Sequence, residues 1–293
     1  MNFGSSHNVL RASDGTEIAY SIAGDGPSLV LTNGLTTTTN FWDHLQPRWV
    51  EDHRVLMWDM PGHGDSGPAR SAASARIDGQ PDLLARVMDA GEIERSVHIG
   101  WSTGCQVVLE MYRRHPARCS ALVLLLGSAG RALSTARLPL PGTAIDWLVR
   151  NTPAPVFAGL TRVLANVAHA PFGQVLPRQL RLIGSGTSHE DAARITAHLL
   201  RVEPRTVQTM VGSAQEHSAW ELLPDITVPV LIVAGDLDPF APPERVGVAM
   251  HAQCPKSELL RLPHGTHTAL LDHADIIGDA VTDFLRRRVH RPT

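Results

Sequence analysis

Lysine is almost missing from this chain of 293 residues: Lys256 is the only one, and arginine carries nearly all of the basic charge. We read that bias as genome composition, with no bearing on function. An excess of charge of either sign is also lacking, the formal net charge being -3. So small a balance gives no electrostatic reason to expect nucleic acid or an anionic membrane surface as a partner. Long apolar runs are absent. The densest, Ala121 to Leu126, falls far short of the roughly 20 residues that cross a bilayer, so no membrane insertion is expected. The first residues, Met1-Asn2-Phe3-Gly4-Ser5-Ser6, lack the basic-then-apolar order of a secretory signal. Cysteine is scarce: Cys105, Cys119 and Cys254 are odd in number and far apart. Free thiols in a reducing, cytoplasmic compartment are the expectation. No His, Asp or Cys cluster has metal-ligand spacing, so neither a metal nor another cofactor is expected.

What is present is an alternation. Asn8 to Arg11 and Thr16 to Ile22 read as two strands joined by the hairpin turn Ser13-Asp14-Gly15. Short apolar runs then follow at Ser28 to Leu31, Arg54 to Trp58, Val97 to Ile99 and Ala121 to Leu126, with helical patterns at about Phe41 to Val50, Pro81 to Ala90 and Thr103 to His115. The pattern breaks between about Leu133 and Trp220. That stretch holds no convincing strand. It has proline-punctuated helical segments at 142–150, 156–168, 176–182, 189–200 and 205–217. Strand and helix resume at Val228 to Ala234, Pro243 to His251, Glu258 to Leu262 and Asp275 to Val289. The expectation is an α/β fold: a mostly parallel twisted sheet of about eight strands, its first pair antiparallel, with helices on both faces. Residues 1–130 and 221–293 form the core domain in this reading, and 131–220 a helical cap or lid inserted into it.

The stretch with most chemical content is Val97-His98-Ile99-Gly100-Trp101-Ser102-Thr103-Gly104. It reads as a buried strand, a sharp turn and the start of a helix. A serine at such a turn is pushed out of the sheet and sits where unpaired helix N–H groups favour developing negative charge. The flanking glycines allow the chain to pass close to itself. In an open parallel sheet, reactive groups collect at the carboxyl ends of strands. The strand at 230–234 leads to Asp236 and Asp238, and the strand at 258–262 leads to His264 and His267. A hydroxyl needs a neighbouring base to become a nucleophile, and a histidine needs a carboxylate to hold its tautomer.

With these residues in the order nucleophile, acid, histidine, the chain resembles the α/β-hydrolases of the serine-nucleophile, lid-bearing, esterase- or lipase-like kind. The resemblance spans roughly residues 8–130 and 221–289. It rests on Asn33-Gly34-Leu35, Asp59-x-Pro61-Gly62-x-Gly64-x-Ser66, Gly100-x-Ser102-x-Gly104, Gly235-x-x-Asp238 and His267 ahead of the last helix. It implies Ser102 as nucleophile, Asp238 rather than Asp236 as the acid, and His267 rather than His264 as the base. It implies an oxyanion hole from the backbone N–H groups of Leu35 and Thr103, each worth roughly 3–4 kcal/mol in the transition state. Asn33 stands where the family usually has histidine. The Pro61 to Ser66 loop reads as architectural, with His63 a packing or surface residue.

The function so implied is hydrolysis of a small-to-medium carboxylic ester, a small-molecule substrate, through an acyl-enzyme. Trp101, Trp147, Phe157 and Phe172 are the candidate substrate-binding residues. C–C bond hydrolysis, lactone opening or acyl transfer on the same triad is the alternative, since one fold hosts many chemistries. A ligand receptor that turns over slowly is a further one, separable by steady-state ester hydrolysis. The sequence leaves the oligomeric state open.

Overall fold

A computed structural model describes residues 6–169, 173–199 and 202–290. Its centre is one sheet of eight strands: β1 (Ser6–Arg11), β2 (Glu17–Ala23), β3 (Ser28–Thr32), β4 (Arg54–Trp58), β5 (Ser96–Trp101), β6 (Cys119–Leu125), β7 (Val230–Gly235) and β8 (Ser257–Leu262). Their spatial order is β1-β2-β4-β3-β5-β6-β7-β8. β1 pairs antiparallel with β2, and β2 antiparallel with β4; every other pairing is parallel. The sheet is therefore mixed, with β2 alone running against the rest.

The apolar runs are explained by cover on both faces. Leu56, Leu122, Leu124, Val230 and Ile232 point into one core. Their strand neighbours Val55, Val97, Ile99, Val123 and Val233 point into the other. The main helices are α1 (Gln80–Ala90), α2 (Gly104–Arg114), α3 (Gly142–Asn151), α4 (Ala154–His169), α5 (Val175–Gln179), α6 (His189–Leu199), α7 (Pro204–Glu216), α8 (Gly247–Gln253) and α9 (Ala274–Phe284). On the first face, α1 and α2 contribute Leu84, Val87, Met88, Val107, Val108 and Met111. On the second, α9 contributes Ile277, Val281 and Phe284, packed with Trp42, Leu45 and Trp49.

Helices α3 to α7 fill the span between β6 and β7. The chain leaves and re-enters the sheet region through a short neck. Gly130 and Ser218 form an antiparallel bridge, flanked by Ala219 N–H to Ala129 O (2.8 Å) and Arg131 N–H to His217 O (3.0 Å). α7 starts cleanly because Glu203 caps it, accepting from the N–H groups of Arg205 (3.1 Å) and Thr206 (2.7 Å), while Pro204 opens the first turn.

Three of the differences from the sequence reading have a local cause. No continuous helix spans Phe41 to Val50; a 3₁₀ turn at Thr39–Trp42 precedes a single turn at Gln46–Trp49. Thr38 caps the first piece and Pro47 opens the second, which breaks the run. The helix expected from Pro243 begins at Gly247, because Val246 leaves the helical backbone region, with φ -120° and ψ -82°. After Phe284 the last helix widens into a π turn, closed by His290 N–H to Leu285 O (2.9 Å).

Candidate active site

β5 is buried along its whole length and ends at Trp101. The next residue, Ser102, has a φ of 56°, a left-handed conformation that is strained for a residue with a side chain. Its N–H donates to Leu125 O at 2.9 Å, which fixes the turn to the neighbouring strand. A Cβ at Gly100 would run into the backbone of Gly104, and one at Gly104 into the carbonyl of Thr32. Both positions need glycine because the elbow folds back on the sheet at van der Waals distance. The result is a serine at the carboxyl edge with α2 starting directly behind it.

The loops after β7 and β8 come to the same edge. Ser102 Oγ lies 2.8 Å from His267 Nε2, and His267 Nδ1 lies 2.8 Å from Asp238 Oδ2. Asp238 is 3% exposed, and its other oxygen accepts the N–H groups of Phe240 (2.8 Å) and Ala241 (3.0 Å). A carboxylate can only accept, so His267 donates from Nδ1 and its Nε2 is free to take the serine proton. The Trp101 indole N–H donates to His267 O at 3.1 Å, and the Phe240 ring tilts against the imidazole at 4.7 Å. The rival residues lie elsewhere: Asp236 pairs with Arg261 at 2.8 Å, and His264 is exposed on its loop.

The loop after β3 faces Ser102. Asn33, only 1% exposed, donates to Trp58 O and to Asp59 Oδ1 (3.3 Å each) and accepts from the Trp42 indole N–H at 2.5 Å. Asparagine thus ties this loop to the end of β4 through its amide NH2 and to the 3₁₀ turn through its amide oxygen. Asp59 also accepts from Thr39 N–H (3.3 Å) and Asp65 N–H (3.2 Å). His63 links the same two loops. Its Nδ1–H donates to Pro61 O (2.9 Å) and its Nε2 accepts Thr36 N–H (3.0 Å). Burial holds its imidazole down at about 4, so it is neutral and able to accept at neutral pH. Thr36 needs that hold, since it is β-branched and has a φ of 60°.

A cavity of about 460 Å³ opens in front of Ser102, and Leu35, Thr103 and Trp101 all line it. Of the other aromatic candidates, Trp147 does not: its side chain is 63% exposed. It stands two residues from Ile145 on α3, about 200° around the helix, so a face that brings Ile145 inward turns Trp147 out. Phe157 is half-buried on α4 and is likewise absent from the lining. Phe172 lies outside the described residues. The lining that sequence reasoning missed includes Phe41, Leu126, Leu182 and Phe240. Phe240 carried a signal, being two residues past Asp238 on a strand-end loop.

The three cysteines are free and buried, and burial pushes the Cys119 thiol up to about 12. Among the described residues no group of His, Cys, Asp or Glu is placed to hold a metal ion, and no helix is long and apolar enough to cross a membrane.

A family model described as the alpha/beta hydrolase fold matches residues 27–274. The chain belongs to that family. It is a hydrolase, and curated relatives named as an esterase and as a hydrolase are among its matches. It is 28% identical over 264 residues to a Neisseria meningitidis protein named pimeloyl-(acyl-carrier protein) methyl ester esterase, covering 87% of this chain and 92% of that one. It is 28% identical over 285 residues to a Pseudomonas protein named 2-hydroxy-6-oxononadienedioate/2-hydroxy-6-oxononatrienedioate hydrolase, covering 97% and 93%. Among solved structures, an enol-lactonase from Burkholderia xenovorans shares the fold with a TM-score of 0.76 at 21% identity, over 95% of this chain and 99% of that one.

Proposed function

We propose that this protein is a serine hydrolase that cleaves a carboxylic ester of a small molecule through an acyl-enzyme. The observation that carries the reading is the pair of 2.8 Å contacts running Ser102–His267–Asp238 at the floor of a lined cavity. Ser102 Oγ attacks the ester carbonyl while its proton passes to His267 Nε2. Asp238 holds the tautomer and balances the imidazolium. The N–H groups of Leu35 and Thr103 receive the oxyanion; both residues line the cavity, and Thr103 caps α2. The intermediate collapses, and the leaving alkoxide takes the proton back from His267. Water, deprotonated by the same histidine, then attacks the acyl-serine and frees the acid. Helices α3 to α7 serve as a lid over this chemistry, with Leu182 and Ile183 on the cavity wall in support.

The likeness to the Pseudomonas hydrolase favours a second reading, hydrolysis of a bond other than an ester by the same three residues. Labelling with a fluorophosphonate, followed by steady-state turnover of an ester, lactone and diketone panel, tests both. Ester turnover and labelling, both lost in Ser102→Ala, are expected. Labelling that persists in Ser102→Ala would overturn the assignment of the nucleophile. Turnover of the diketone alone would select the second reading.

A further inference from the structure

The cavity at Ser102 shares part of its wall with a neighbouring recess. Leu182 and Phe240, which line it, also line a second recess of about 530 Å³. Leu138, Leu140, Ile145 and Leu180 build that recess, and among the described residues Arg137 is the one charged residue on its wall. Leu140 is 52% exposed and Leu180 40% exposed, so both present apolar surface that an occupant would cover. The polar part of the lining is at the other end. Thr36, Thr37, Ser128 and Thr268 lie in the inner chamber with the reacting groups. A polar chain threaded outward would lose hydrogen bonds to water and find few in return. An apolar one would lose none.

One residue of this shared wall is also braced. Phe240 is held to Asp238 through its backbone N–H, and its ring rests on His267. An arm that leaves the reacting carbonyl and passes this ring is therefore aligned by the same loop that carries the acid.

Resting on the ester-hydrolase reading, we propose that the substrate class is an ester with one long, unbranched apolar arm, which crosses between Leu182 and Phe240 into the outer recess. Each arm methylene taken out of water should raise kcat/KM about fourfold.

The test uses the full chain and two series kept below micelle-forming concentration: p-nitrophenyl esters from acetate to decanoate, and alkyl acetates of matching length. At least one series should climb about fourfold per methylene, on the order of 10³-fold overall between the two-carbon and eight-carbon members. Leu180→Glu and Ile145→Glu, which place charge in the outer recess on half-exposed positions, should each cut the ratio of long-arm to short-arm kcat/KM at least about tenfold, with Tm followed to verify folding. Two flat series, or a ratio that both variants leave alone, overturn the proposal. Failure of the underlying reading looks different: no ester is turned over and no fluorophosphonate labels Ser102. Brisk acetate hydrolysis with labelling and flat series overturns the long arm alone.

Discussion

His63 spans from one loop to the next and can be tested as the post that holds the proposed oxyanion loop. Its Nε2 takes the Thr36 N–H at 3.0 Å, and Thr36 follows directly on Leu35, the proposed donor. His63→Ala would leave the Thr36 N–H without that acceptor, at a cost of about 1–3 kcal/mol. Thr36 also sits at a φ of 60°, a conformation that costs a β-branched residue about 1–3 kcal/mol and persists only while its surroundings enforce it. Both terms push the loop to relax once the ring is gone. An oxyanion donor moved out of place loses about 10²–10³ in kcat. We expect kcat for p-nitrophenyl acetate to fall about 10²-fold in His63→Ala. KM should move less than about threefold, because the donor acts mainly on the transition state. His63→Gln, whose amide oxygen can accept the same N–H, should recover most of the loss. Near-UV circular dichroism establishes that each variant is folded. A folded His63→Ala with kcat within about threefold of the parent refutes the reasoning, because a residue that only packs would lower Tm and leave kcat alone.

Other outcomes follow from the same geometry. Asp238→Asn should keep the fold and lose about 10⁴-fold in kcat, because an amide presents an N–H to His267 and favours the wrong tautomer; steady-state ester kinetics read this out. Gly104→Ala should be destabilised by more than about 3 kcal/mol or fail to fold, since its Cβ meets the Thr32 carbonyl; urea unfolding measures it. Stability should also fall in mild acid. Burial holds His63 and His98 down at about 4 in the folded chain, against 6.5 for the free side chain. Below pH 6.5 the unfolded chain therefore takes up protons that the folded chain refuses, and unfolding is favoured until about pH 4. Each histidine should remove about 2 kcal/mol between pH 7.5 and pH 5. Urea unfolding at the two pH values checks this, and His98→Asn should remove about half of the slope.

Much of the fold was legible because parallel strands buried on both faces leave short, unbroken apolar runs, as at Leu122 to Leu125. The loop positions of Ser102, Asp238 and His267 were legible for a related reason: each lies within five residues past a strand end, and a parallel sheet collects such ends at one edge. Trp147 shows where the pattern runs out. Helical periodicity tells which residues share a face of α3, but not which face the neighbouring helices leave toward the cavity. Leu182 reaches the cavity through tertiary packing alone, with no repeat to announce it. His63 was hidden differently. Its glycine-rich loop has an evident local role, and nothing in its spacing reveals a hydrogen bond to Thr36, 27 positions earlier. The Thr39 to Trp49 region went astray because a threonine cap and a proline divide one helical pattern into two short turns.

The bridge between Gly130 and Ser218 bears on how such a protein can change. Because the two ends of the α3 to α7 segment are clamped side by side, the sheet experiences the whole segment as a loop already closed. Loop-closure entropy grows only with the logarithm of length, about 0.6 kcal/mol for each doubling. Helices can therefore be added, shortened or exchanged beyond the neck with little penalty to the register of β6 against β7. The sheet and the α3 to α7 segment are free to diverge at separate rates, and a segment grafted from a relative onto Gly130 and Ser218 should arrive in a frame already prepared to receive it.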